Sequence, residues 1–162
     1  YPRAVIVCRM MHLFPGASGL IVGMSVPVVL WIICYYTKKH ELYNLDPKAI
    51  PGPFEPFLVK YLKVTEMIIG LATGSIVLLV GSSAFHGQSG RLPWFYASPL
   101  FLLALCVLYG LTFSVWMIFH YEDYQHFGRH SKAAYALCET LGFANLICFV
   151  AGYIWLIAKV TG

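Results

Sequence analysis

The amino-acid sequence predicts an all-α integral membrane protein: a bundle of four transmembrane helices with a short interfacial segment at its N-terminus. Two runs of about 22 apolar residues, 64–85 and 97–119, are each long enough to cross ~30 Å of hydrocarbon at 1.5 Å per residue. The link between them, 86–96, is short and rich in turn-forming glycine and proline. The composition agrees, because 59% of the 162 residues are hydrophobic and only 11% are charged. Soluble domains carry roughly 25% charged residues.

The whole chain, residues 1–162, is interpreted as a single transmembrane domain. Ahead of the first span, residues 1–13 mix apolar and basic side chains and precede the helix-breaking pair Pro15-Gly16, which predicts an interfacial segment. The spans are expected over residues 14–36, 64–85, 97–119 and 133–158, separated by polar loops over 37–63, 86–96 and 120–132.

The longest polar loop, 37–63, holds four prolines between Asp46 and Pro56. Because proline has no backbone N–H and fixes φ, we do not expect this part of the loop to be helical. Two interpretations stay open. The loop is either a stiff surface on which a partner docks or an extended linker lying on the lipid headgroups.

The distribution of Lys and Arg predicts the orientation, because positively charged loops are retained on the cytoplasmic side. We expect loops 37–63 and 120–132 to be cytoplasmic (or in a matrix or stroma), with both termini on the opposite side. The first side has Lys38, Lys39, Lys48, Lys60, Lys63, Arg129 and Lys132, and the second has only Arg3, Arg9, Arg91 and Lys159. The formal net charge of +4 is too diffuse to suggest nucleic acid as a partner.

Small residues repeat in the first two spans. Gly19 and Gly23 are four residues apart in span one, and Gly70, Gly74 and Gly81 share one side of span two. Such GxxxG spacing lets another helix approach closely in lipid. We therefore expect spans one and two to pack against each other, with a homodimer face as the alternative. Span three is bulkier, and we expect it to face lipid or to pack through aromatic side chains.

Glu139 is the most informative single residue, because it lies within span four, roughly 10 Å from the start of the span by helical rise. An ionisable side chain at that depth is costly unless it faces the bundle or a hydrated cavity, is paired, or keeps its proton. Together with Asn145, and with Glu66 of span two, Glu139 is a candidate for proton or ion handling. The alternative is structural: a protonated Glu139 that hydrogen-bonds to a neighbouring helix.

The loop 120–132 contains a second group of polar residues. If it is helical, Glu122, His126 and His130 are spaced i, i+4 and i+8, so one stripe presents a carboxylate and two imidazoles. This ligand set suits zinc, copper or iron. Gly128 weakens the helix, so an ordinary polar connector or a docking loop is the competing interpretation. Haem is disfavoured as a cofactor, because bis-histidine ligation needs imidazoles at matching depth on facing helices.

The sequence has no GxSxG, HExxH, Walker or dinucleotide glycine motif. Its five cysteines lie in or beside apolar runs, where we expect small buried residues rather than disulfides. We therefore expect a non-enzymatic role, that of a structural or accessory subunit of a larger membrane complex. Its partners would be the lipid bilayer and other membrane subunits, or further copies of the chain. Two alternatives remain: a small transporter or channel protomer that uses an intramembrane glutamate, and a membrane-bound metal or redox enzyme subunit.

Overall fold

The computed structural model describes residues 17–37, 55–82, 93–127 and 132–161, and within these ranges it is almost entirely helical, with no strands. Each of the four long helices is apolar and long enough to cross a membrane. The helices are α1 (Ala17–Thr37), α2 (Glu55–Gly81), α3 (Ala97–Phe127) and α4 (Lys132–Thr161), with a 3₁₀ turn at Trp94–Tyr96 before α3. The prediction of an all-α, four-helix membrane protein is therefore confirmed. The interfacial segment predicted at 1–13 lies outside the described residues.

α4 is slightly longer than its predicted span, and α2 and α3 extend by about two turns beyond theirs, α2 at its start and α3 at its end. α2 begins at Glu55, so Pro56 occupies its first turn and residues up to Lys63 are helical rather than part of the loop. Proline is tolerated there because the first N–H groups of a helix have no partner within the helix. α3 continues to Phe127, well into the region predicted as the loop 120–132. With 31 residues, it is about 46 Å long and must project beyond the hydrocarbon into the headgroup region.

The central pair of the bundle is α3 with α4. These helices share the largest contact, α1 packs against both of them, and α2 packs mainly against α3. α1 and α2 meet the pair at separate places and are not packed against each other. The expected packing of spans one and two is therefore wrong. Of the two alternatives for span three, the lipid-facing one is wrong, whereas packing through aromatic side chains agrees with the buried Tyr109 and Phe113. α3 buries a larger share of its candidate span than any other described helix.

α4 can lie this close to its neighbours because it has a row of small residues at every fourth position. Residues four positions apart differ by about 40° around the helix axis, so the row winds slowly around α4 instead of running parallel to the axis. Such a row can pack against neighbouring helices that cross α4 at an angle. All members of the row are buried: Ala136, Thr140, Ala144, Cys148 and Gly152. At Gly152, an added Cβ would lie 3.1 Å from the side chain of Leu103 in α3.

The glycines of α1 pack against α3. A Cβ at Gly19 would overlap the backbone carbonyl of Ser98, and one at Gly23 would overlap the side chain of Leu105. Ser18 and Ser98 are hydrogen-bonded through their hydroxyl oxygens, 2.9 Å apart. The close approach that the GxxxG pattern of span one predicts is therefore present, but the helix it meets is α3.

Pro27 interrupts the hydrogen bonding of α1, and α3 compensates for the interruption. Because Pro27 has no N–H, it cannot donate to the carbonyl of Gly23 four residues earlier. The hydroxyl of Tyr109, which is buried in α3, donates to that carbonyl oxygen at 3.0 Å. The acceptor left by the proline is satisfied by a neighbouring helix, as an acceptor within hydrocarbon must be.

A smaller apolar cluster closes the end of the bundle where α2 ends and α3 begins. The buried side chains of Leu79, Tyr96 and Leu156 meet there, with Leu100 against them. The described cysteines, Cys34, Cys106, Cys138 and Cys148, are free and buried, as the sequence predicts. Cys8 lies outside the described part of the chain.

Candidate functional site

A cleft of about 270 Å³ opens between α2 and the α3–α4 pair. It lies at the end of the bundle where α2 begins, α3 ends and α4 begins. Most of its wall is apolar, and the polar side chains that line it include Thr65 of α2, His120 of α3, and Glu139 and Asn145 of α4. The structure thus brings two of the three predicted intramembrane polar residues to one cavity.

Glu139 is half-buried in the wall of this cleft. Its position is about two turns into α4, because α4 begins at Lys132. The preceding residue, Cys138, is buried and directs its sulfur toward Met117 of α3, with the two sulfur atoms 3.7 Å apart. Glu139 thus lines the cleft next to a residue that is packed into the contact between α3 and α4.

Asn145 has a structural role that its sequence position does not reveal. The residue is almost fully buried, and its Nδ2 donates to the backbone carbonyl of Cys106 at 2.8 Å. This contact requires Gly110, where an added Cβ would overlap the amide nitrogen of Asn145 and approach Ile69 of α2 to within 2.8 Å. Three helices therefore meet at Gly110, and the hydrogen bond from Asn145 fixes α4 to α3 there.

Aromatic rings surround the cleft near Glu139. The rings of His120 and Tyr135 meet edge to face, with their centroids 5.0 Å apart. Tyr135 is buried, and Nε2 of the half-buried His120 is buried as well. Tyr61 and Tyr121 line the same cavity from α2 and α3. The tyrosine rings among these have a negative face that attracts cations.

Glu66 is not part of the cleft. It is exposed on α2, on the same side as Gly70, Gly74 and Gly81. Those three glycines are exposed too, and a Cβ built at each meets no atom within 4 Å. Within one chain, Glu66, Glu139 and Asn145 therefore do not line a common path, and the transporter alternative stays a prediction.

The predicted metal ligands are only partly described. Glu122 and His126 lie on the last turns of α3, one helical turn apart, and both are exposed. His130 lies outside the described residues, so the metal site stays a prediction. Within residues 17–37, 55–82, 93–127 and 132–161, no three His, Cys, Asp or Glu side chains are grouped so that they could hold a metal.

Sequence reasoning missed most of the cleft. Tyr61, His120 and Tyr121 fall in stretches predicted as loops, whereas the structure places them on the extended ends of α2 and α3. The sequence did contain one indication of the cleft. Tyr61, Tyr121 and Tyr135 all lie near the same predicted membrane surface, so they are expected at similar depths in the bilayer. Only the packing of three helices shows that they share one cavity.

The fold and the cleft define the chain as a multi-pass membrane protein of four helices with an aromatic, carboxylate-containing cavity at one end. Comparisons with protein-family models, with curated proteins and with solved structures found no match. Its function therefore has to be argued from its own residues.

Proposed function

We propose that this protein is a structural or accessory subunit of a larger membrane complex, and that the outer face of α2 binds a transmembrane helix of another polypeptide. The observation that carries the proposal is the composition of that face. It combines three exposed glycines with an exposed carboxyl group: Glu66, Gly70, Gly74 and Gly81. We refer to these four residues as the α2 face.

The glycines of the α2 face differ from those of α1 in their surroundings. Gly19 and Gly23 are buried against α3, whereas Gly70, Gly74 and Gly81 have open space beside them. Helix association in lipid depends on close packing, for which small residues leave room. The same spacing that brings α1 against α3 thus leaves α2 with a flat surface for a helix outside this chain.

Glu66 makes contact between the α2 face and lipid energetically unfavourable. It lies one helical turn before Gly70 and within the candidate span Leu58–Gly81. A carboxyl group that faces hydrocarbon is costly, and residues of this kind almost always face other protein or water. A partner helix that offers a hydrogen-bond donor or a cation at this level would stabilise Glu66 and pack on the glycines.

The proposal is tested on the particle extracted from its native membrane in mild detergent. We expect the tagged chain to migrate on a native gel with different polypeptides in stoichiometric amounts, identified by mass spectrometry of the band. Migration of the chain alone, or as a homo-oligomer, would contradict the accessory-subunit role.

A single substitution assigns the interaction to the α2 face. Gly74→Leu fills the open space there without a clash inside the chain, and it replaces a weak helix former by a strong one. We expect the thermal unfolding midpoint of the isolated chain to stay the same or rise. We also expect recovery of the partner polypeptides to fall by about tenfold, the effect of ~1.4 kcal/mol.

The matched control is Ala104→Leu, which adds similar bulk at an exposed position of α3. It should leave both the unfolding midpoint and the recovery of partners unchanged. Equal recovery with Gly74→Leu and Ala104→Leu would show that the α2 face is not the binding surface.

A further inference from the structure

The cleft between α2 and the α3–α4 pair opens toward the lipid-facing surface of the bundle. Val64 and Leu146 line it and are exposed, whereas Ile68 and Phe113 line it and are buried. The cavity therefore runs from the outer surface between α2 and α4 into the core, and it is continuous with the surface that lipid covers. A hydrocarbon chain of the bilayer can enter it from the side without crossing a polar layer.

The dimensions of the cleft suit a single hydrocarbon chain. Along α4 its lining extends from Tyr135 to Leu146, eleven residues apart. At 1.5 Å per residue this is about 16 Å, close to half of the ~30 Å hydrocarbon core of a bilayer. The volume of about 270 Å³ exceeds the ~150 Å³ of a cavity that holds benzene, yet it lies near the lower end of small-molecule sites. One chain therefore fits, whereas a whole phospholipid does not.

The inner part of the cleft favours hydrocarbon over water. Ile68, Phe113 and Leu146 form apolar walls there, and the amide nitrogen of Asn145 is already bonded to the carbonyl of Cys106. Water needs two to four polar partners to remain in a cavity, and an empty space loses the dispersion contacts of its walls. A chain from the surrounding lipid restores those contacts.

Thr65 adds a hydrogen-bonding group one helical turn inward from Tyr61. Its side chain lines the cleft and is only 6% exposed. Other threonines of the described helices donate their hydroxyl to the carbonyl four residues earlier: Thr37, Thr112, Thr140 and Thr161. The hydroxyl of Thr65 makes no hydrogen bond to any residue that the structure describes. Because a buried hydroxyl is costly unless it is bonded, a ligand with an acceptor at this level would be stabilised.

We propose that this cleft binds one acyl chain of a glycerolipid, with the ester carbonyl accepting a hydrogen bond from Thr65 and the chain lying along Ile68 and Phe113. The ester groups of a bilayer lie at the boundary between the hydrocarbon core and the headgroups. Thr65 is the second residue of the apolar run 64–85 and so lies near that boundary. The headgroup and the second chain stay outside the cleft. This inference does not depend on the accessory-subunit proposal, because the cleft and the α2 face share no residue.

The first experiment tests whether a chain enters the cleft. The full chain is placed in nanodiscs of phosphatidylcholine that has a photoreactive diazirine midway along one acyl chain, and the labelled residues are identified by mass spectrometry. We expect labelling of Phe113, although it is only 6% exposed. Tyr109 is the internal control, because it is also buried in α3, one turn away, and does not line the cleft. No labelling of Phe113, or equal labelling of Phe113 and Tyr109, would overturn the proposal.

A variant that fills the entrance tests the route. Val64→Trp adds bulk at the exposed edge of the cleft, and we expect it to reduce labelling of Phe113 by about tenfold, the effect of ~1.4 kcal/mol. Val115→Trp is the matched control, because it makes the same change at an exposed position of α3 outside the cleft, and labelling should persist. Both variants should keep the wild-type unfolding midpoint. Equal labelling of Phe113 in the two variants would overturn the assignment to the cleft.

The second experiment tests the ester contact. Nanodiscs contain equal amounts of ester-linked and ether-linked phosphatidylcholine, which differ in the carbonyl oxygen, and native mass spectrometry identifies the lipid that the protein retains. We expect the wild-type chain to retain the ester-linked lipid about fivefold over the ether-linked one, the effect of ~1 kcal/mol. Equal retention by the wild-type chain would overturn the proposed ester contact.

Thr65→Val assigns this preference to one hydroxyl. It keeps a branched side chain of similar size but removes the donor, so we expect it to retain the two lipids equally while Phe113 is still labelled. A preference that survives in Thr65→Val would show that another group recognises the ester, and it would overturn the role proposed for Thr65.

Discussion

At the scale of single residues, the same amino acid has opposite roles in this bundle according to its neighbours. Gly19, Gly23 and Gly110 are positions where a methyl group would overlap another helix, whereas Gly70 and Gly74 face open space. Sequence spacing identified Gly19, Gly23, Gly70 and Gly74 as positions for close approach. It could not say which of them are already occupied within the chain, because spacing along one helix contains no information about its neighbour.

Pro27 and Tyr109 should be energetically coupled, because the tyrosine hydroxyl satisfies the carbonyl that the proline leaves without a donor. We expect Tyr109→Phe to lower the free energy of unfolding by about 1 kcal/mol. In a Pro27→Ala background, where the backbone at position 27 regains an N–H that can donate to Gly23, the same change should cost clearly less. The measurement is a double-mutant cycle by equilibrium unfolding in mixed micelles. Equal losses in the two backgrounds would show that the two residues act independently.

At the scale of the helix, the row of small residues on α4 determines how closely the central pair can pack. The sequence contained this signal, but it was missed because alanine, threonine and cysteine fill most of the row and only Gly152 is a glycine. A search for GxxxG alone finds α1 and α2, and it overlooks α4, which shares the largest contact of the bundle with α3. The relevant property is the small volume of the side chain, which alanine and cysteine share with glycine.

We expect Ala144→Leu to destabilise the bundle by about 1–3 kcal/mol, because Ala144 is fully buried and the added methyl groups have no space. The matched change Ala104→Leu on the exposed side of α3 should remain within about 0.5 kcal/mol. Both values come from unfolding in mixed micelles, monitored by circular dichroism. If Ala144→Leu unfolded at the same midpoint as the wild-type protein, α4 would have to pack through a different face.

At the scale of the whole molecule, the sequence predicts the class of fold well and the arrangement of its helices poorly. Hydropathy identifies each span because every backbone group in hydrocarbon must be bonded within a helix. The neighbours of each helix depend instead on the combined shape of several surfaces, as Gly110 shows, where contacts from Ile69 and Asn145 converge. The cleft was missed for the same reason, since Tyr61, His120 and Glu139 come together only after three helices pack.

The orientation of the bundle is a prediction that labelling can test. In a Cys8→Ser background, Lys48→Cys reports on the loop 37–63 and Ser89→Cys on the link 86–96. The excess of Lys and Arg on the side of the first loop predicts that it is cytoplasmic. We therefore expect a membrane-impermeant maleimide to label Ser89→Cys in intact cells and Lys48→Cys only after permeabilisation. The reverse pattern would mean that the opposite side of the bundle, with both termini, is cytoplasmic.

The position of α1 has a consequence for the biosynthesis of the protein. A ribosome delivers α1 and α2 to the membrane before α3 and α4, yet α1 and α2 are not packed against each other. The helices that α1 contacts are made after α2, so Gly19 and the free carbonyl of Gly23 stay exposed to lipid until α3 and α4 have been made. A chain truncated after α2 would present these same unsatisfied surfaces. The cell therefore has a structural basis for distinguishing a copy that lacks α3 and α4 from one that contains all four helices.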